Sequence, residues 1–256
     1  MKVMSHSAGW RGKHNSVMIW IVGHKPEGSA MLDNLSIFAA SDIHERLDYL
    51  EQLAGTIEAA HWVLLLGDLT HFGHAAQAAR VLDAFRRINP QVLAVPGNVD
   101  HPDVLDLLVS EGVSLHGSHR VLESQVGVAG MGASTPTPFG TPSELSEEEL
   151  YRRLNAPLRA IGGCAVRLVI SHTPPRGTRV DRVRLGFHAG SRSVRRLIEE
   201  HSPDLLLCGH IHEAAGEDTL GHTRVLNPGP FGRGGYVWAE VSADGVSAEC
   251  RCVSSR

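Results

Sequence analysis

Several features that mark whole classes of protein are scarce or missing in this chain. Its 256 residues hold only four cysteines, Cys164, Cys208, Cys250 and Cys252, and no two of them form a CxxC pair. There is no disulfide framework to read, and a reducing cytoplasm is the expected setting. Cys208 follows Leu205-Leu206-Leu207 and reads as a small buried hydrophobe. Positive charge is also short, with 24 Lys and Arg against 28 Asp and Glu and a formal net charge of -4. That speaks against a stable nucleic-acid complex, which calls for a basic face, but leaves a nucleotide substrate open. No apolar run approaches the roughly 20 residues of a membrane span. Val17 to Val22 is the nearest, and Gly28-Ser29-Ala30 behind it makes a poor cleavage site. No repeat, low-complexity tract or linker separates two domains. Residues 1–34 read as a flexible extension, or as sequence ahead of a true start at Met31. Residues 35–256 read as one domain.

What is present is a series of short motifs, each at the end of an apolar run. They are Asp42-Ile43-His44, Gly67-Asp68, Gly97-Asn98-Val99-Asp100, Ser171-His172 and Gly209-His210-Ile211-His212. Ser36 to Ala40, Trp62 to Leu66 and Val92 to Val95 read as strands before the first three. Arg167 to Ile170 and Leu205 to Cys208 read as strands before the last two. Helical spacing follows at Arg46 to Ala60, at His74 to Ile88 and at Gly190 to His201. Strand, ligand loop and helix thus recur, which implies a layered α/β architecture. The near-continuous apolar strands imply sheets covered on their faces. Val126 to Met131 is a further strand, and Ser146 to Glu149 looks like a capping box. Val225, Tyr236 to Val241 and Val246 to Cys252 suggest a closing antiparallel meander.

Any one of these motifs is weak, and a lone His at a strand end is usually only a satisfied polar group. As a set they supply carboxylates to neutralise cations, and imidazoles and an amide carbonyl to complete the coordination. Ligands bind beyond the carboxyl ends of strands in open α/β sheets. In an extended strand end, residues two apart face the same way, which would pair Asp42 with His44 and His210 with His212. Two divalent ions roughly 3.5–4 Å apart can clamp both oxygens of a phosphoryl displacement. Of the 16 His, only His44, His172, His210 and His212 sit in such motifs. His6, His14 and His24 lie in the extension and are expected to play no part.

The order of these motifs, over roughly residues 36 to 240, resembles the calcineurin-like metallophosphoesterase superfamily. The stretch Gly132 to Glu149, and that from Ser171-His172-Thr173-Pro174-Pro175 to Gly190-Ser191, are similar to its small prokaryotic branch of uncharacterised phosphoesterases. The resemblance implies a four-layer α/β/β/α sandwich of two mixed sheets flanked by helices, with a dinuclear site at the strand C-terminal ends. It implies that Asp42, His44 and His212 hold one ion, that Asn98, His172 and His210 hold the other, and that Asp68 bridges them. Asp68, Asn98, Asp100 and His172 are the residues expected to carry catalysis, with Asp100 orienting a ligand. The implied activity is metal-dependent phosphoester hydrolysis by a hydroxide bridging the ions, with a phosphodiester as the first expectation. A phosphomonoesterase acting on a small phosphorylated metabolite is the alternative, as is a catalytically weak metal-binding regulator. Mn is the first choice of metal, with Fe, Zn or Ni suited to the same mixed ligands. The expected partner is a small phosphoester, nucleotide-derived compounds among them, with no membrane and with self-association left open.

One position departs from the family. Val99 stands where its members often carry a His that protonates the leaving oxygen. His71 and His101 are nearby in sequence and could substitute. Three other features carry two readings each. Phe187 to Ser191 precedes a helix and could meet an anion or simply cap it. Asn227-Pro228-Gly229-Pro230 is turn chemistry, which the family places beside the metals. The Gly132 to Ser143 loop is a connection or a substrate rim.

Overall fold

The computed structural model describes residues 34–242 and 245–253. The expected extension, with His6, His14, His24 and Met31, lies outside the described residues except for Asn34. In chain order the first part runs β1 (Leu35–Ala40), α1 (Leu50–Glu58), β2 (Trp62–Leu65), α2 (Ala75–Arg86), β3 (Val92–Ala94) and α3 (Pro102–Ser110). The middle runs β4 (Ser118–Leu122), β5 (Val126–Met131), α4 (Glu147–Ala160), β6 (Val166–Ser171), α5 (Arg192–His201) and β7 (Leu205–Cys208). The chain closes with β8 (Gly216–Leu220), β9 (Thr223–Asn227), β10 (Gly235–Ser242) and β11 (Gly245–Cys252).

These strands form two mixed sheets, ordered β11-β10-β1-β2-β3 and β4-β5-β6-β7-β9-β8. Their inner faces meet in one core. Leu35, Ile37 and Ala39 of β1 pack there with Val166, Leu168 and Ile170 of β6 and Leu205 and Leu207 of β7. The alternate residues of the same strands face outward. Phe38 and Ala40 lie under α1, α2 and α3, against Leu53, Ile57, Leu82, Phe85 and Leu108. Val169 and Leu206 lie under α4 and α5, against Leu150, Leu154, Leu197 and Ile198. Three apolar interfaces between four layers explain why the strands lack polar alternation, since both faces of each sheet are buried. The α/β/β/α expectation holds.

Strand register places the motif loops together. Ala40 pairs with Leu65, and Leu65 with Ala94, so the loops carrying Asp42, Asp68 and Asn98 leave one sheet side by side. Ser171 pairs with Cys208 in the other sheet, so His172 and His210 emerge as neighbours.

Several expectations need correcting. The first helix does not begin at Arg46 but at Leu50, because His44 and Glu45 have φ of 49° and 62° and the chain turns before the helix starts. The closing meander is split. β9, around Val225, joins the second sheet between β7 and β8, while β10 and β11 form a hairpin on β1. The capping box is half made: Ser146 Oγ accepts from the Glu149 N–H, but the Glu149 carboxylate turns to Arg152 and Arg153. α3, β4 and β8 went without boundaries in the sequence reading.

Candidate metal centre

The loops at the strand ends are laced together by their backbones. Asp42 N–H donates to the Gly67 carbonyl at 3.1 Å, and His44 N–H to the Asp68 carbonyl at 2.9 Å. From the other sheet, Gly209 N–H donates to the His172 carbonyl at 3.0 Å. His210 N–H then reaches across to both oxygens of Asp42, at 3.0 and 3.2 Å. Two glycines permit this approach. A side chain at Gly97 would overlap the Asp68 carboxylate, and one at Gly209 would overlap the Ser41 hydroxyl and the Asp42 carboxylate.

The alignment of Asp42 with His44 and His210 with His212 has a different cause from the one expected. These strand ends are not extended. Asp42, His44, Asp68 and His210 have φ of 50°, 49°, 50° and 69°. A non-glycine residue held there costs about 1–3 kcal/mol, and such strain collects at functional sites. Four of the seven candidate ligands share it.

The resulting cluster has two halves. In the first, Asp42, His44, Asp68 and His212 each offer an atom within 4.8 Å of the others. His44 Nε2 lies 3.1 Å from His212 Nε2, and His212 Nε2 lies 3.2 Å from Asp42 Oδ1. In the second, His172 Nε2 lies 3.0 Å from Asn98 Oδ1 and 3.4 Å from Asp68 Oδ2. The His210 ring sits edge-on to His172, with centroids 5.2 Å apart. Asp68 stands between the halves, its Oδ2 also 3.8 Å from His44 Nε2.

The donor set fits divalent cations. His172 Nδ1 lies 2.9 Å from the Leu66 carbonyl and His44 Nδ1 lies 3.1 Å from the Thr70 carbonyl. A carbonyl only accepts, so both Nδ1 atoms carry protons, and a metal ion taking the place of any proton on Nε2 would meet an Nε2 lone pair directed into the cluster. There the two Nε2 atoms face the Asp68 carboxylate, the Asn98 amide oxygen and the His212 imidazole. Such contacts are held together either by protons or by a metal cation between the atoms, and this donor set suits the cation. Asn98 is oriented to the same end. Its Nδ2 donates to Thr141 Oγ1 at 3.1 Å, and Thr141 in turn donates to Glu144 at 2.7 Å, which leaves the amide oxygen toward His172.

Electrostatics repeat the point. Burial opposes a charge on His172, yet the neighbouring carboxylates of Asp68 and Asp42 raise its imidazole to about 9. Burial would raise Asp42 and Asp68, but hydrogen bonds and imidazolium charge hold both carboxyls below their ordinary value. His210 moves the other way, down to about 4, through burial and the charge on His172. The cluster thus draws a proton onto His172 in the absence of another cation, and keeps His210 neutral with its lone pair free.

Asp100 does something else. It is fully buried and sits off the cluster, where one oxygen accepts from Thr70 N–H and Oγ1 at 2.8 and 2.7 Å. The other accepts from Gly97 N–H and Leu69 N–H at 2.8 and 3.1 Å. It ties the Asp68 loop to the Asn98 loop. His101 stacks on His74 at 4.0 Å, outside the cleft over the cluster, whereas His71 lines that cleft. Ser191 does cap α5, and the anion at that helix start is the chain's own Glu147, which accepts from Arg192 and Ser193 N–H. Asn227 holds the Pro-Gly loop against the His210 turn by donating to the Ile211 carbonyl at 3.0 Å. The sequence reading missed the Thr141–Glu144 pair, since a Ser/Thr/Pro-rich loop signals only a loop.

Two mixed sheets between helices, with candidate Asp and His ligands at their joined strand ends, fit a metal-dependent phosphoester hydrolase with a dinuclear divalent metal site. The comparisons agree: the calcineurin-like phosphoesterase family matches residues 35–214, and the chain belongs to that family. An uncharacterized protein of Methanocaldococcus jannaschii is 32% identical over 206 residues, covering 78% of this chain and 90% of that protein. Among solved structures, a Thermus thermophilus protein shares the fold at TM-score 0.64 and 20% identity, covering 86% of this chain and 99% of its own. A dimetal phosphatase from Danio rerio does so at TM-score 0.62 and 14% identity, covering 86% and 97%.

Proposed function

We propose that this chain hydrolyses phosphodiesters, with Asp42, His44 and His212 holding one divalent cation, Asn98, His172 and His210 the other, and Asp68 shared between them. The observation that carries the reading is the pair of imidazole Nε2 atoms, on His44 and His172, turned toward Asp68 from either side by the Nδ1 contacts to the Thr70 and Leu66 carbonyls. Two bound cations supply acidification of water and neutralisation of phosphoryl charge. The chain supplies the rest. Carbonyls of Leu66 and Thr70 hold the rings, the Thr141–Glu144 pair holds Asn98, and the left-handed turns fix Asp42 and Asp68. Water oxygen bonds to phosphorus, the bond from phosphorus to the leaving oxygen breaks, and that oxygen takes up a proton. Manganese suits the mixed carboxylate, amide and imidazole set, and iron, zinc and nickel suit it too. The cleft measures about 1400 Å³, room for both substituents of a diester. All four cysteines are free thiols, which supports a reducing compartment such as the cytoplasm. Among the described residues no helix is long and apolar enough to cross a membrane.

Val99 lines the cleft and has no proton to give, while its N–H donates to Asp68 Oδ1 at 3.1 Å. The rate should therefore depend steeply on the leaving group. A series of diesters of graded leaving-group pKa, run with Mn²⁺ beside nitrophenyl phosphate as the monoester, tests this and the function together. Nitrophenyl diesters should turn over about 10²–10⁴-fold faster than alkyl diesters, the range that general acid help is worth. Val99→His should flatten the dependence. A flat series in the unmodified protein would move the proton donor to His71, and turnover of the monoester alone would replace the diester reading by its alternative.

A further inference from the structure

The floor of the cleft is polar, and its rim carries exposed apolar side chains. Six large hydrophobic residues stand exposed among the described ones, and four of them, Phe72, Phe139, Leu185 and Phe187, line this cleft. Phe139 and Leu185 are 87% and 83% exposed, near the limit for any side chain. Apolar surface gathered at one mouth marks a binding site, whereas single exposed hydrophobics mean little. Val109 and Val121, the other two, lie away from it.

Charge singles out the same rim. Arg184, Arg192 and Arg233 line the cleft, and no carboxylate among the described residues lies within ion-pair distance of their guanidinium groups. The acidic residues on that wall outside the metal cluster are already occupied. Glu147 accepts from Ser191, Arg192 and Ser193, and Glu213 from the Arg184 N–H. Leu185 and Phe187 share one loop with Arg184, so one cationic and two apolar side chains fall there within four residues.

We propose that the substrate is a phosphoester carrying a second anionic group and an apolar substituent, the anion meeting the rim arginines and the substituent lying on Phe139, Leu185 and Phe187. This rests on the phosphoesterase reading and adds the substrate class. A nucleoside base or an acyl chain could provide the apolar part. The shared chemistry is an apolar group joined to an extra negative charge.

The test uses nitrophenyl diesters of one leaving group and different second substituents, namely methyl, decyl, thymidine, and thymidine with a phosphate on its free sugar hydroxyl. With Mn²⁺ bound, kcat/KM should rise about tenfold or more from methyl to the better of decyl and thymidine, a gain of the size that base stacking on aromatic side chains gives. A larger gain with thymidine assigns a flat ring, and a larger one with decyl an acyl chain. The added phosphate should raise it again. Phe139→Ala with Phe187→Ala should pull the apolar-to-methyl ratio toward one, and Arg184→Ala with Arg192→Ala should remove the gain from the added phosphate. Val109→Ala with Val121→Ala should leave both ratios as they are. Equal kcat/KM for all four esters, with every ester turned over, would overturn this inference alone. No turnover of any ester by metal-loaded protein would overturn the phosphoesterase reading beneath it.

Discussion

Replacing Asp68 by Asn is expected to lower kcat/KM by about 10³-fold or more while the protein stays folded. Asn has the same shape, and its carbonyl oxygen can still accept the Val99 N–H that Asp68 Oδ1 takes at 3.1 Å. What disappears is the negative charge between the two halves of the cluster, where His44 and His172 both aim a nitrogen at Asp68 Oδ2. Metal-based charge stabilisation is worth several kcal/mol, and about 4 kcal/mol is about 10³ in rate. Steady-state kinetics, circular dichroism and metal content on one preparation check it. Full activity at unchanged metal content would remove Asp68 from the shared position.

Asp100→Ala should be the most destabilising single change near the site. The carboxylate is fully buried and satisfies Leu69, Thr70 and Gly97 N–H groups and the Thr70 hydroxyl. Alanine leaves these donors without that partner in a place with little room for water. Stranding the partners of a buried charged group costs about 3–5 kcal/mol. In a domain of this size that corresponds to a fall in Tm of about 10 °C. Metal affinity should fall with it, because the same carboxylate ties the loop that carries Asp68 to the loop that carries Asn98. Thermal melts of the metal-free protein separate the two effects. A Tm within about 1 °C of the original would mean that the loops hold their shape without Asp100.

The sequence disclosed the site more fully than the reason for it. Apolar runs ending in Asp42, Asp68, Asn98, His172 and His210 pointed to one rim, and strand register brings them there. Pairing Asp42 with His44 by strand alternation, however, requires an extended backbone, and these residues are left-handed instead. Nothing in residue type announces that, because the conformation is imposed by the facing loop. The edge strands β4 and β8 were invisible for a related reason. β4 is exposed on both faces from Ser118 to Val121 and β8 on one face, at Glu217 and Thr219, so neither leaves an apolar run. Helix α3 carried a legible mark, Pro102 at its first position, behind His101. The Gly132 to Ser143 loop, which carries Phe139, could be read as a substrate rim, but its meeting with Leu185 and Phe187 could not, since loops distant in sequence come together only over the cluster.

Counting bound metal tests the central claim most directly. Protein freed of metal by chelator and titrated with Mn²⁺ by isothermal calorimetry, with elemental analysis of the dialysed product, should bind two ions per chain and regain activity with the second. His172→Ala should reduce the count to one while His44→Ala removes the other. A single ion in the unmodified protein, or two ions that persist in both variants, would contradict a dinuclear centre built on Asp68.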